Sequence, residues 1–212
     1  MPDDNDVFEI MRTTRAMRRL RPDPVPEELI VKILEAGISA ANGGNAQKWR
    51  FLVIKDPAVK KAVQVFYKRA FDEVIGPRYA SSPTPPGVTK ERFQRQHHAV
   101  EYLTEHFHEA PVWIVACLED GPTPNRMAGA SIYPAVQNML LAARALGLGS
   151  TLTTRHLLFE KEAEAALGLP EGVHSYAILP IGYPMGKFGP VGRGELSEVV
   201  FSERWGQPYR AG

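Results

Sequence analysis

The sequence predicts a single layered domain of the α+β or α/β class, in which helices pack on a sheet. Three observations carry that expectation. Segments with apolar residues at helical spacing alternate with short runs of aromatic and β-branched residues bounded by turns. A chain of 212 residues buries a sizeable core and requires no second domain, so 1–212 reads as one unit. No internal repeat or low-complexity tract interrupts the alternation.

Asp6 to Met11 reads as a short opening helix, after which Pro22, Pro24 and Pro26 force an extended segment. In PEELIVKILEAGISAA, residues Leu29, Ile30, Ile33, Leu34 and Ile38 recur at helical spacing, with Glu27 and Glu28 favourably placed in the first turn. ANGGN ends this helix. WRFLVIK, from Trp49 to Lys55, reads as a buried strand closed by Asp56-Pro57, and a helix follows over Ala58 to Val74. The segment 76–90, with four prolines and two glycines, excludes regular structure and reads as a lid loop. Glu91 to His108 is helical, and PVWIVACLE is a second strand with Cys117 as a core residue. Ser131 to Ala145 is a buried helix that tolerates Pro134 near its first turn. GLGSTLTTRH leads to a short helix, Glu160 to Leu167; YAILPIGYP is a third strand, and 185–212 forms a C-terminal arm.

Bulk properties exclude several function classes. Lys and Arg number 25 against 24 Asp and Glu, a net charge of +1, so no global field draws the chain to nucleic acid or an anionic membrane. Any anion site must be local. The single Cys117 excludes an intramolecular disulfide framework and a Cys-based metal centre, and suits a reducing compartment. The acidic opening MPDDNDVFEI lacks the pattern of a leader, and no stretch approaches the roughly 20 apolar residues of a membrane span. A cytoplasmic location is the expectation.

Three local motifs could carry chemistry. Arg12, Arg15, Arg18, Arg19 and Arg21 precede the proline-locked segment; at helical spacing Arg15, Arg18 and Arg19 share a face able to grip phosphate with planar, permanently charged guanidinia. The same run could be a solvated basic patch or a nucleic-acid contact. Asn42, Gly43, Gly44 and Asn45 form a turn that permits close backbone approach to a ligand, or simply a helix stop. Gly192-Arg193-Gly194 is a weak signal, an ordinary loop taken alone. Tyr67, Tyr79, Phe93 and Tyr102 border the proline-rich segment and could line a substrate pocket or anchor a lid. His97, His98, His106 and His108 share one helix without a metal-ligand pattern and read as solvent-facing, so no metal is expected. No glycine-rich dinucleotide fingerprint, phosphate-binding lysine loop or serine nucleophile elbow occurs.

RTTRAMRRLRPDPVPEELIVKILEAGISAANGGNAQKWRF resembles the opening of the nitroreductase family of FMN enzymes: an Arg-rich element, a proline-spaced stretch, a helix, and an Asn/Gln/Trp turn. GASIYPAVQNMLLAARALGLGSTLTT is similar to the family's long helix and flavin-contacting loop, and PVGRGELSEVVFSERWG to its C-terminal segment. The resemblance implies an α+β three-layer fold, a central, mostly antiparallel sheet flanked by helices, and an interlocked homodimer with FMN at the interface. It implies that Arg15 contacts the FMN phosphate or ribityl chain with Thr14 and Ala16 adjacent, that Arg18 faces the N1/O2 edge of the ring, and that Arg193, beside Gly192, closes on the phosphate. Asn42, Gly43 and Asn45 would reach the flavin of the second subunit. Leu152, Thr153, Thr154 and Arg155 would lie against the flavin, a backbone N–H near Thr154 or Arg155 donating to N5. Ala16, Ala41 and Lys48 depart from the family pattern, the first removing one side-chain hydrogen bond. The implied activity is hydride transfer from NADH or NADPH to FMN and on to a nitroaromatic, quinone or activated alkene, by a ping-pong mechanism. Reductive dehalogenation, flavin fragmentation and non-catalytic flavin binding are the competing readings.

Overall fold

Four strands form one sheet in the order β1-β2-β4-β3 in the computed structural model, which describes residues 6–209: β1 Trp49–Ile54, β2 Val112–Glu119, β3 Gly149–Ser150 and β4 Val173–Gly182. The ends of the expected domain and of its C-terminal arm, 1–5 and 210–212, lie outside the described residues. Every pairing is antiparallel, which selects α+β over α/β.

Strand periodicity divides β2 between two cores. Ile114, Ala116 and Leu118 face one way and Trp113, Val115 and Cys117 the other, so the strand is apolar on both sides and buried through Leu118. The pairing with β4 shifts between Ala116 and Cys117, skipping Tyr176; this bulge puts Tyr176 and Ala177 in the same core. Against one face pack α2 (Glu27–Ile38) and α6 (Gly129–Ala145), through Ile30, Ile33, Ile132, Val136 and Met139. Against the other pack α3 (Pro57–Ala70), α5 (Lys90–His106) and α7 (Glu160–Leu167), through Val63, Tyr67, Leu103 and Leu167. The result is three layers. The opening helix α1 (Val7–Thr13) is capped by Asp6, whose carboxylate accepts from the Phe8 N–H.

Three sequence expectations need correction. The segment 76–90 is not wholly irregular: α3 continues through a π-helical turn, Phe71–Ile75, into α4 (Gly76–Ser81). Pro77 occupies the first turn of α4, where its missing N–H costs nothing. The connection GLGSTLTTRH contains a fourth strand, β3, too short for its alternation to be read. Of the α5 histidines only His98 is exposed; His97 packs between Tyr79 and Phe93 and His106 stacks on Tyr102. Cys117 is buried as expected, and burial followed by the nearby Glu164 pushes its thiol up to about 12, leaving it an inert apolar group.

Gly149 permits a close approach of the arginine segment to the sheet edge. A Cβ there would fall 2.8 Å from Leu20 Cδ2, 2.9 Å from Met17 Cβ and 3.1 Å from Pro184 Cβ. Gly149→Ala is therefore expected to cost about 1–3 kcal/mol by overpacking, read as a lower midpoint in denaturant unfolding.

Candidate functional site

The arginine run is held by sheet edges and not by a helix. The Thr13 and Thr14 hydroxyls bond back to the carbonyls of Glu9 and Ile10, and Thr14 is extended, so α1 ends before Arg15. From there the Met17 N–H donates to Ser150 O at 2.9 Å and the Arg21 N–H to Tyr183 O at 2.8 Å, while Leu20 bridges to Pro184. Met17 and Leu20 are buried. The helical spacing first assigned to Arg15, Arg18 and Arg19 is thus replaced: Arg15, Ala16 and Arg18 reach one cavity, whereas Arg19 lies over Tyr102 and Arg21 pairs with Asp23.

That cavity encloses about 850 Å³. Its walls come from the arginine segment, from Tyr79 and the prolines after α4, from α5 through Arg92, Phe93, Arg95 and Gln96, and from Gly192 and Arg193 of the C-terminal arm. The segment after α4 and the segment around Arg193 meet closely. Gly87, at φ 70°, lies against the Arg193 carbonyl where a Cβ would overlap it, and Arg92 Nη2 donates to Pro190 O at 3.1 Å. Five arginines line the space and no Asp or Glu does. Arg18 is half-buried and makes no hydrogen bond or ion pair among the described residues. Burial lowers its pKa below the ordinary value; Tyr79 and Tyr67 oppose the shift, and Arg155 and Arg15 add to it.

The loop after β3, with Leu152, Thr153, Thr154 and Arg155, contributes no residue to the lining of that cavity. Thr153 exchanges both backbone hydrogen bonds with Ile178, at 3.0 and 2.9 Å, and its hydroxyl donates to the buried Tyr67 oxygen at 3.1 Å. Leu152 and Thr154, on either side, are exposed. The Arg155 guanidinium lies over the Tyr67 and Phe71 rings and donates to Thr104 Oγ1 at 2.7 Å, fastening the loop to α3 and α5. Burial raises the Tyr67 pKa, with Arg155 the largest opposing influence. Tyr67 therefore supports the loop instead of lining the cavity, and of the four flagged aromatics Tyr79 and Phe93 line it.

Asn42, Gly43 and Asn45 lie apart from this cavity. The Asn42 side-chain oxygen accepts from the Gln47 N–H at 3.1 Å, the Gly43 N–H donates to Ser131 Oγ at 3.1 Å, and Asn45 takes φ 52°. Asn42 borders a separate cleft beside Lys48 and Ser131.

The chain matches the Nitroreductase family over residues 11–183. It belongs to the nitroreductase family. An NADH dehydrogenase of Thermus thermophilus is 32% identical over an alignment of 200 residues that covers 88% of this chain and 90% of that protein. An iodotyrosine deiodinase of Thermotoga neapolitana is 26% identical, covering 84% of this chain and 88% of its own. A Desulfovibrio desulfuricans protein solved in complex with FMN is 26% identical, with a TM-score of 0.70, and the alignment covers 96% of this chain and 99% of that one. The three-layer nitroreductase fold expected from the sequence is the fold observed.

Sequence reasoning missed two lining residues, Arg92 and Arg95. Their signal was present as the spacing of Arg92, Arg95, Gln96 and Ala99, which share one face of α5 and all line the cavity. Among the described residues, Glu160, Glu164 and His174 come close enough to offer ligands to one ion. Their atoms have other roles, however: Glu164 accepts from the Ser175 N–H and hydroxyl, and the two His174 ring nitrogens face Glu164 and Gly121 O.

Proposed function

We propose that this chain binds FMN in the arginine-lined cavity and, as a cytoplasmic homodimer, reduces small electrophiles at the expense of NADH or NADPH. Membership of the nitroreductase family makes it an FMN-dependent oxidoreductase. The observation that carries the rest is a cavity lined by five arginines without a carboxylate, one of them the half-buried Arg18. Such a site fits a phosphate-bearing cofactor whose ring gains negative charge on reduction. About 850 Å³ also lies within the range of cofactor sites, roughly 300–1,000 Å³.

In this reading Arg15 and Arg193 hold the phosphate, with Thr14, Ala16 and Gly192 supplying the surrounding backbone. Arg18 faces the N1/O2 edge of the ring. Leu152, Thr153, Thr154 and Arg155 form the surface against the ring; because Ile178 already accepts from the Thr153 N–H, the free donor toward N5 is Thr154 or Arg155. Asn42, Gly43 and Asn45 serve the cofactor of the second subunit, which agrees with their separation from the cavity. FMN, when bound, supplies two-electron chemistry, accepting hydride at N5 and returning it to the second substrate in ping-pong order. No helix among the described residues is long and apolar enough to cross a membrane.

The test is the visible spectrum of the purified protein. It should be yellow, release FMN on acid treatment, bleach on addition of NADH or NADPH, and recover colour when a quinone or nitroaromatic is added. A protein that stays colourless after incubation with FMN, or whose flavin never bleaches, sinks the reading. The deiodinase relative favours reductive dehalogenation as a second reading. Iodide release from iodotyrosine, faster than quinone or nitroaromatic reduction, would establish it.

A further inference from the structure

The positive charge around the cavity exceeds what the proposed cofactor uses. Arg15 and Arg193 suffice for a phosphate, and Arg18 for the ring edge. Arg92 and Arg95 remain, both on α5, three residues apart and facing the same space. Arg92 uses Nη2 on Pro190 O and rests its Nη1 where a Cβ on Gly192 would sit, so its position is fixed while its charge is uncompensated. Arg95 is exposed and has no ion pair among the described residues; Glu91, one turn earlier, is held down mainly by its own backbone and Thr89, with Arg95 the smallest influence.

Two unpaired guanidinia beside three others repel one another, and physiological salt screens them only beyond about 8 Å. A bound anion converts that repulsion into charge-assisted, bidentate hydrogen bonds. The pair lines the same cavity as the arginine segment, together with the aromatic rings of Tyr79 and Phe93 that suit a planar molecule.

We propose that Arg92 and Arg95 hold a carboxylate or phosphate carried by the molecule that docks over the flavin, so that the enzyme prefers anionic reactants. This rests on the FMN reading above. The anionic group could belong to the acceptor or to the nicotinamide donor, which take turns at the same place, and two ratios distinguish them. The acceptor ratio is kcat/KM for 4-nitrobenzoate over the neutral 4-nitrobenzamide, with saturating donor. The donor ratio is kcat/KM for NADPH over NADH, with a neutral quinone.

At least one ratio should reach about tenfold in the holoenzyme and collapse toward unity in Arg95→Gln and further in the Arg92→Gln/Arg95→Gln pair, with added salt acting in the same direction. The carboxylate is the weaker electron-withdrawing substituent, so electronic effects oppose the expected acceptor ratio. Both ratios near unity, or ratios the substitutions leave unchanged, overturn the proposal. So does loss of bound FMN from the variants, which would assign the pair to the cofactor. Failure of the FMN reading itself looks different: no bleaching and no turnover of the neutral quinone with either nicotinamide.

Discussion

Arg18→Met lowers turnover by on the order of 100-fold while the protein still binds FMN. Methionine keeps an unbranched apolar stem in place of the arginine stem and removes the charged head with its donors. In the role proposed for Arg18, that charge matters most after reduction, when the ring edge becomes anionic. Arg18 is already half-buried and has no ion-pair partner among the described residues, so its field acts on the site with little screening. The loss should fall on kcat and on the rate of flavin bleaching by nicotinamide, with the flavin reduction potential shifted negative. Arg15→Met should act differently, releasing FMN with less effect on the potential of what remains. An Arg18 variant with wild-type bleaching rate and potential would remove the residue from the ring edge.

Phe107→Ala lowers stability by about 3–5 kcal/mol. Phe107 is fully buried and stacks between Tyr67, at 4.0 Å between ring centroids, and Trp113, at 4.1 Å. Its carbonyl accepts from Trp113 Nε1 at 3.0 Å. Truncation loses the burial of a large ring and leaves a cavity between two rings whose polar ends are already committed, so neither can swing in to fill it. For a chain of this size the thermal midpoint should fall by roughly 10 °C. Because Tyr67 also carries the Thr153 hydroxyl, FMN affinity should weaken in parallel, which titration of the apoprotein would detect. Phe107→Leu, which retains more of the volume, should lose less of both. A wild-type unfolding midpoint for Phe107→Ala would contradict the packing argument.

The sequence disclosed elements where periodicity was long or end signals were strong. The seventeen-residue helix α6 and the eight-residue helix α7 were legible as patterns, and β2 as a short apolar run that buries both faces. It failed where tertiary pairing decides structure. β3 spans two residues and exists because β4 offers an edge; α4 survives its proline because the preceding turn continues α3 through a π-helical turn. Of the expected site residues, Arg15, Ala16, Arg18, Gly192 and Arg193 line one cavity, whereas Thr14, Asn42, Gly43, Asn45 and Leu152 to Arg155 do not. The helical justification for the arginines did not hold, since the backbone from Met17 to Arg21 is held by strand-like bonds to Ser150 and Tyr183. Arg92 and Arg95 carry no motif of their own, and only the fold brings their face of α5 to the cavity that Arg15 and Arg18 line.

The bonds from Met17 to Ser150 and from Arg21 to Tyr183 make the two sides of the cavity mechanically unequal. The wall that carries Arg15 and Arg18 is spliced to the sheet edge and opens only when those strand-like bonds let go. The other, from Ser82 through Thr89, meets the C-terminal segment at Gly87 before it enters α5, whose buried residues begin only at Val100. A planar guest entering between them would meet a stiff floor and an adjustable ceiling. Selectivity for ring electronics then belongs to the floor, and selectivity for a reactant's size and substituents belongs to the ceiling. Sequence change in the ceiling can redirect the enzyme without retuning its redox centre.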